Sequence, residues 1–332
     1  MMETPARSRA LALMCLYLAA VLALGAALAP LLYKGGHWLA EIIVSFRQQQ
    51  TPVIGWVGDK LGSSDFGRYF SRAFLISALG LLWPFLKWMG VTSGGLGLQP
   101  NATRGRHFLT GFATAAGLLL AMGIVFVLMG AYRWNPKADI AASLTRAVCT
   151  CLVVATLEEW LFRGVFLGLA LRAAPAWLAI LAISFLFSIL HLVKPPDPLP
   201  PGLFDAPSWT SGFSMMGIIF RDYGDPALFV SEVSTLMAVG LILAWTRVRT
   251  GSLWLPIGLH AGWVFGVVIF GALTRTSKAL KAGNWDWHVS GSAIPMIGEN
   301  LKLGLVPLGV LLLTAVVLGL LLPPKGHCQN GQ

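Results

Sequence analysis

Charged residues are scarce in this sequence. Only 11% of its 332 residues are Asp, Glu, Lys or Arg, whereas a soluble domain carries about a quarter. Apolar residues make up 56% of the chain, and the mean hydropathy is +0.72. A chain of this length cannot hide so much apolar surface inside a water-soluble fold. The composition therefore excludes a soluble globular enzyme, a disordered chain and a nucleic-acid reader, and it predicts a polytopic membrane protein.

Acidic residues are the scarcer charged class. There are 14 Asp and Glu against 24 Lys and Arg, which gives a net charge of +10. The basic residues form no dense cluster of the kind that binds nucleic acid. They lie between apolar runs, where Lys and Arg orient helices and meet anionic lipid headgroups. The positive-inside rule predicts cytoplasmic termini, and we expect the lipid bilayer, not nucleic acid, as a partner.

Cysteine is also rare, with four residues. Cys149 and Cys151 lie two positions apart, so they point to different sides of a helix. No CxxC pair of the metal-binding type is present. The sequence therefore predicts no cysteine-based metal site.

Long apolar runs are abundant. A transmembrane helix needs about 20 mostly apolar residues, and eight runs approach or meet this length. They lack the alternation of barrel strands, so we predict an all-α bundle of about eight transmembrane helices. The first run is too long for a signal-peptide core and is assigned as a membrane helix. The predicted spans are Ala10–Leu32, Tyr69–Met89, Phe108–Ala131, Arg146–Leu169, Ala176–Val193, Leu228–Thr246, Leu253–Leu273 and Leu301–Leu322.

Three polar segments separate some of these runs. Residues 33–68 are predicted to lie outside the membrane, with one interfacial helix. Residues 194–227 begin with a cluster of prolines, which cannot continue a helix. Residues 274–300 carry Trp285 and Trp287, which suit a membrane interface.

Ionisable residues inside spanning helices are costly, so they are candidates for a functional site. Glu159 and Arg163 lie four positions apart, in the order that favours an ion pair on a helix. Glu158 points about 100° away and has no basic residue at a helical spacing, which suits a general base. The alternative is that these groups only hold helices together. The candidate residues in apolar runs are Glu158, Glu159, Arg163, His191, Glu232 and His260.

Helix arithmetic links two of these residues. A turn at residues 172–175 joins the fourth and fifth runs, and Glu158 and His191 each lie about 21–24 Å from it. They should therefore be level across an antiparallel helix pair. The GxxxG pair Gly164–Gly168 is expected to allow close approach of a neighbouring helix. The same count places His260 one to two turns away from this level.

Three ordered motifs resemble the CPBP family (CAAX protease and bacteriocin-processing, or Abi). These are glutamic-type intramembrane endopeptidases similar to the Rce1 prenyl-protein protease. The resemblance covers about residues 140–273 and implies an Rce1-like helical bundle with no cofactor. The motifs are Glu158-Glu159-x-x-x-Arg163, Phe187-x-x-x-His191, and His260 with the segment Trp245–Leu259 leading into it.

The resemblance also implies a role for each motif residue. Glu158 would activate a water molecule with help from His191. Glu159 and Arg163 would be structural, and His260 would steady the oxyanion of the tetrahedral intermediate. Amide hydrolysis needs such an activated nucleophile and a preorganised donor where negative charge develops.

One position departs from the family pattern. The family usually has a polar residue, often Asn, four positions after the third-motif histidine, where this chain has Val264. Removing one oxyanion donor costs on the order of 100- to 1000-fold in rate. Trp263 has an indole N–H and is the expected substitute. Otherwise the chain is a slow enzyme or a non-catalytic relative.

The predicted function is therefore an intramembrane protease that cleaves a membrane-associated peptide or protein, such as a C-terminal tail or sorting signal. A zinc-dependent variant would use Glu158, His191 and His260 as ligands, although no HExxH motif is present. A non-catalytic immunity or scaffold protein is the other alternative, favoured by Val264. A transporter would show inverted repeats, which the sequence lacks.

The sequence suggests three parts. Residues 1–139 form an N-terminal three-helix membrane region with loops, and residues 140–273 form a four-helix catalytic core. Residues 274–332 comprise a polar loop, the last transmembrane helix and a tail. The expected location is a bacterial inner membrane, and the sequence indicates no particular oligomeric state.

Overall fold

The structure is a computed structural model of the chain, and almost all of the residues that it describes are helical. The described residues are 4–46, 51–90, 102–196, 199–200, 202–221, 226–277, 301 and 304–322.

The predicted helical membrane fold is confirmed. Each of the eight apolar runs overlaps helical structure, and among the described residues six helical spans are long and apolar enough to cross a membrane. The helices at Ala176–Leu192 and Leu305–Leu321 are apolar but shorter. The elements are α1 (Thr4–Ser45), α2 (Pro52–Gly62), α3 (Phe66–Trp88), α4 (Arg104–Leu128), β1 (Tyr132–Trp134), α5 (Ile140–Glu159), a π-helix (Trp160–Phe166), α6 (Leu167–Ala173), α7 (Ala176–Leu192), α8 (Ser211–Arg221), α9 (Pro226–Thr250), α10 (Trp254–Leu273), β2 (Thr274–Thr276) and α11 (Leu305–Leu321).

The chain divides into two compact units. The N-terminal unit comprises Met2–Val91 and His191–Gly224, and the core unit comprises Thr92–Leu190 and Asp225–Gln332. The predicted three-part organisation stays a prediction. Helix α4, assigned there to the N-terminal part, packs against α10 within the core unit.

In the N-terminal unit, α1 packs along α3 and also contacts α2 and α8. Asp65 caps α3, since its Oδ1 accepts a hydrogen bond from the backbone N–H of Arg68 at 2.9 Å. An apolar cluster joins α1, α3 and α8. Its buried members are Ala29, Phe66, Phe70, Ala73, Met215 and Ile219.

The core unit is organised around α10, which packs against both α4 and α5. Glycines allow α4 and α10 to approach closely. A Cβ added at Gly111 would lie 2.6 Å from the carbonyl oxygen of Leu255, and a Cβ added at Gly262 would lie 2.6 Å from the carbonyl oxygen of Phe112. A Cβ at Gly258 would likewise collide with the Phe108 carbonyl oxygen. Such close backbone approach is typical of packed membrane helices.

The expected close approach at the GxxxG pair is wrong at Gly168. A Cβ added there would meet nothing within 4 Å. The close approach lies between α4 and α10 instead, because the positions that face a neighbour depend on how the helices pack, not on glycine spacing alone.

Two sequence-based boundaries also need correction. The first apolar run predicts a helix end at Leu32, but α1 continues to Ser45, into the segment 33–68 that is expected to lie outside the membrane. Its extension packs on α3, where Gly36 lies against the Tyr69 hydroxyl, so tertiary contact overrides the weak helix propensity of glycine. Helix α8 was not predicted within residues 194–227, where prolines argue against a helix. It forms at Ser211–Arg221, after the proline cluster at the start of that segment.

A small sheet was also missed. Strands β1 and β2 pair antiparallel, with Tyr132 opposite Thr276, and link the end of α4 to the end of α10. Tyr132 is buried and its ring packs edge-on against Phe270 at 5.0 Å. Three-residue strands are too short to produce a recognisable alternation in sequence.

Candidate active site

The two adjacent glutamates lie at the C-terminal end of α5. This helix begins after Asp139, whose Oδ1 accepts a hydrogen bond from the N–H of Ala142 at 3.0 Å. Adjacent positions on a helix point in different directions. As a result, the Glu159 side chain is fully buried, whereas that of Glu158 is 29% exposed.

Glu159 is the central group of the site. Its Oε1 accepts a hydrogen bond from Nη1 of Arg163 at 2.8 Å, and the same oxygen lies 2.8 Å from Nδ1 of His260. The ion pair predicted from the four-residue spacing is therefore present, with both partners fully buried. A charge-assisted contact of this length in a low-dielectric interior holds the two side chains in a defined geometry.

A π-helix carries Arg163. It spans Trp160–Phe166 and follows directly on Glu159, and such i→i+5 segments are frequent at functional sites. From it, the Arg163 guanidinium reaches α9, where Nη2 donates to the Gly240 carbonyl oxygen at 3.4 Å. The Phe187 ring of α7 lies 4.3 Å from the guanidinium carbon.

His260 enters from α10 and completes the group. Its side chain is 8% exposed. Because an ionised carboxylate can only accept hydrogen bonds, the Glu159 contact places a proton on Nδ1. The other ring nitrogen, Nε2, lies 3.8 Å from Oε2 of Glu158. This contradicts the expected axial offset of His260 from the level of Glu158.

The space between Glu158 and His260 suits proton-transfer chemistry. A distance of 3.8 Å exceeds that of a direct hydrogen bond. Oε2 of Glu158 is itself buried, although the Glu158 side chain as a whole is 29% exposed. The site therefore combines the partly exposed carboxylate of Glu158 with the imidazole of His260, whose Nδ1 is bound to Glu159.

His191 occupies the last turn of α7, one residue before the helix ends at Leu192. The division between the core unit and the N-terminal unit falls between Leu190 and His191. Its catalytic role stays a prediction. Glu232 lies near the start of α9 and is half-buried, and a role for it in the site also stays a prediction.

Trp263 and Val264 follow His260 on α10 but belong to different apolar clusters. Trp263 is buried in the cluster that includes Leu119 and Leu243, and its Nε1 has no hydrogen-bond acceptor among the described residues. Val264 packs against the cluster that joins Ala155 of α5 to α10. The predicted role of Trp263 as a hydrogen-bond donor stays a prediction.

Phe187 and Gly240 lie next to the site, and the sequence predicts no role for either. Phe187 stands in the second motif, but nothing in its spacing indicates that its ring covers Arg163. Gly240 is the acceptor on α9, and a Cβ there would lie 2.8 Å from Cβ of Ser184 on α7. A glycine inside an apolar helix is the available signal for such a close contact, although it does not identify the partner.

Within the described part of the chain, no group of three His, Cys, Asp or Glu side chains is arranged to hold a metal ion. The charged site instead consists of two carboxylates, one guanidinium and one imidazole.

The comparisons with known proteins agree with the motif analysis. Residues 140–266 match a family model described as Type II CAAX prenyl endopeptidase Rce1-like. This segment is similar to the Rce1-like family. The match covers α5 to α9 and most of α10, and so contains Glu158, Glu159, Arg163 and His260. No curated protein and no solved structure gave a significant match. The family match supports a protease-type function. The long apolar helices support an integral membrane protein.

Proposed function

We propose that this chain is an intramembrane endopeptidase that uses a water molecule activated by Glu158. One observation carries the proposal. His260 is held at Nδ1 by the buried Glu159–Arg163 pair, and its Nε2 lies 3.8 Å from the Glu158 carboxylate. The short distance between a carboxylate and an imidazole supports a general acid–base role for the two groups.

The charges of the group support this assignment. Two carboxylates, one guanidinium and a doubly protonated His260 sum to zero, which avoids the cost of burying an uncompensated charge. In that state Nε2 of His260 carries a proton that it can donate.

The proposed reaction begins when Glu158 takes a proton from water. The resulting hydroxide attacks the carbonyl carbon of the substrate, and the carbonyl oxygen becomes an oxyanion that accepts a hydrogen bond from Nε2 of His260. Glu158 then returns its proton to the amide nitrogen as the C–N bond breaks. Proton transfer of this kind contributes about 100- to 10,000-fold, and one oxyanion donor about 100- to 1000-fold.

His191 and Trp263 extend the proposal. His191 is assigned as a second partner of the attacking water, on the strength of its spacing after Phe187 in the second motif. Trp263 is assigned as a second donor to the oxyanion, because its buried N–H has no acceptor among the described residues. Trp263→Phe should lower kcat, and undiminished cleavage by this variant would remove Trp263 from the mechanism.

The proposed substrate is a peptide or protein tail at the membrane. Because the matched family is described as CAAX prenyl endopeptidases, a prenylated C-terminal tail is the first substrate class to test. Unprenylated tails and sorting signals form the second class. The proposed location is a bacterial inner membrane.

The test compares membrane proteomes of cells that produce the native chain, Glu158→Gln, or Glu41→Gln as a control at an exposed acid of α1. New protein termini should appear with the native chain and the control and disappear with Glu158→Gln. Termini that persist in Glu158→Gln would contradict the mechanism.

A non-catalytic binding protein is the second candidate function. It is favoured by Val264, which packs in an apolar cluster where the family usually has a polar residue. In that case, no terminus would depend on the native chain, although the protein would still assemble and bind its partner.

A further inference from the structure

The Arg163 guanidinium is a buried cation, and the acceptors among the described residues do not satisfy all of its N–H donors. Its side chain has no exposed surface. Nη1 donates to Glu159 at 2.8 Å, but Nη2 reaches the Gly240 carbonyl only at 3.4 Å, and Nε has no acceptor among the described residues. A guanidinium has five N–H donors, so this cation needs another source of stabilisation.

The face of Phe187 provides it. The guanidinium carbon lies 4.3 Å from the centre of this ring, well inside the distance at which a cation is attracted to an aromatic face. Phe162 packs edge-on against Phe187 at 5.1 Å and 84°, which holds the ring in place. The His260 ring also lies edge-on to Phe187, with the ring centres 6.3 Å apart.

We propose that Phe187 is a positioning residue that acts through Arg163. Its electron-rich face holds the guanidinium in the position where Nη1 bonds Oε1 of Glu159, and that same oxygen holds Nδ1 of His260. The ring of Phe187 thereby sets the direction of Nε2 without touching the substrate. The activity part of this inference rests on the proposed protease function, whereas the contact between ring and cation does not.

The competing explanation is that Phe187 only fills space. The two explanations differ in what a change of ring electronics would do. Fluorine atoms withdraw electron density from the ring face with little change in shape, so a series of mono-, di- and trifluorophenylalanine at position 187 weakens attraction to a cation step by step. The same series at Phe70 is the matched control, since this equally buried ring packs on Phe74 and other apolar side chains.

The expected result at position 187 is a stepwise fall in kcat across the series, to a total loss of about tenfold, with KM unchanged. A tenfold loss corresponds to about 1.4 kcal/mol. The Phe70 series should leave kcat constant. A kcat that is the same across the Phe187 series would overturn the positioning role, even if the melting temperature falls.

A readout independent of cleavage separates this inference from the proposed function. In protein labelled with ¹⁵N-histidine, the His260 signal, assigned with His260→Gln, should show a single form in which Nδ1 carries a proton. In Phe187→Leu we expect a mixture of forms that differ in which ring nitrogens carry protons, and in Phe187→Tyr the native pattern. An unchanged His260 signal in Phe187→Leu would refute the inference, whether or not the protein cleaves peptides.

Discussion

Replacing Glu159 by glutamine tests the centre of the site. The amide has nearly the same shape as the carboxylate but no charge, so it leaves the Arg163 guanidinium buried without its counter-ion. Both side chains have no exposed surface, and their closest atoms are 2.8 Å apart. Breaking a buried ion pair by removing one partner costs about 3–5 kcal/mol. We therefore expect Glu159→Gln to lower the free energy of unfolding by about 3 kcal/mol or more.

The double variant Glu159→Gln with Arg163→Met isolates the charge effect. When both partners of a buried pair are replaced by uncharged residues of similar size, the change is often close to neutral. The double variant should therefore recover at least about half of the stability that Glu159→Gln loses. Such a recovery would show that the cost comes from the uncompensated guanidinium and not from a loss of packing.

The measurement is denaturant titration of the purified protein in mixed micelles, followed by helical circular dichroism. Glu41→Gln is the control, because this acid is exposed on α1 and its replacement should change stability by no more than about 0.5 kcal/mol. If Glu159→Gln were as mild as the control, the buried arrangement of Glu159, Arg163 and His260 would be wrong.

Three further predictions follow from the same packing and chemistry. Gly258→Val should separate α4 from α10 and lower the melting temperature strongly, while Gly117→Val, at an open position of α4, should not. Val264→Asn should cost about 1–3 kcal/mol in unfolding free energy, because it places an amide in an apolar cluster. Cleavage should survive treatment with a strong zinc chelator; if activity disappears and returns with zinc, the zinc-dependent mechanism is correct.

Local features of the site were predictable from sequence. The Glu159–Arg163 ion pair could be predicted, because a four-residue spacing on a helix brings two side chains together whatever the rest of the fold does. The divergence of Glu158 from Glu159 was predictable for the same reason. The turn between the fourth and fifth runs also agrees, since α6 ends at Ala173 and α7 begins at Ala176.

Contacts between distant segments were not predictable in this way. His260 is 101 residues from Glu159, and helix arithmetic placed it at the wrong level. Its true position depends on how α10 packs on α4 and α5, where Gly258 and Gly262 permit close backbone approach. The ring of Phe187 over Arg163 likewise depends on the packing of α7, which no spacing within one helix reveals.

Composition and the length of the apolar runs were sufficient to establish a helical membrane protein, and the ordered motifs were sufficient to identify an Rce1-like segment. These properties are local, because hydropathy and helix periodicity follow from the covalent chain and its solvent. The packing of separate helices decides that one oxygen of Glu159 contacts both Arg163 and His260. It also decides which aromatic ring covers the Arg163 guanidinium. Packing is a collective result of side-chain shapes across the whole bundle, so it can be established only from the folded arrangement.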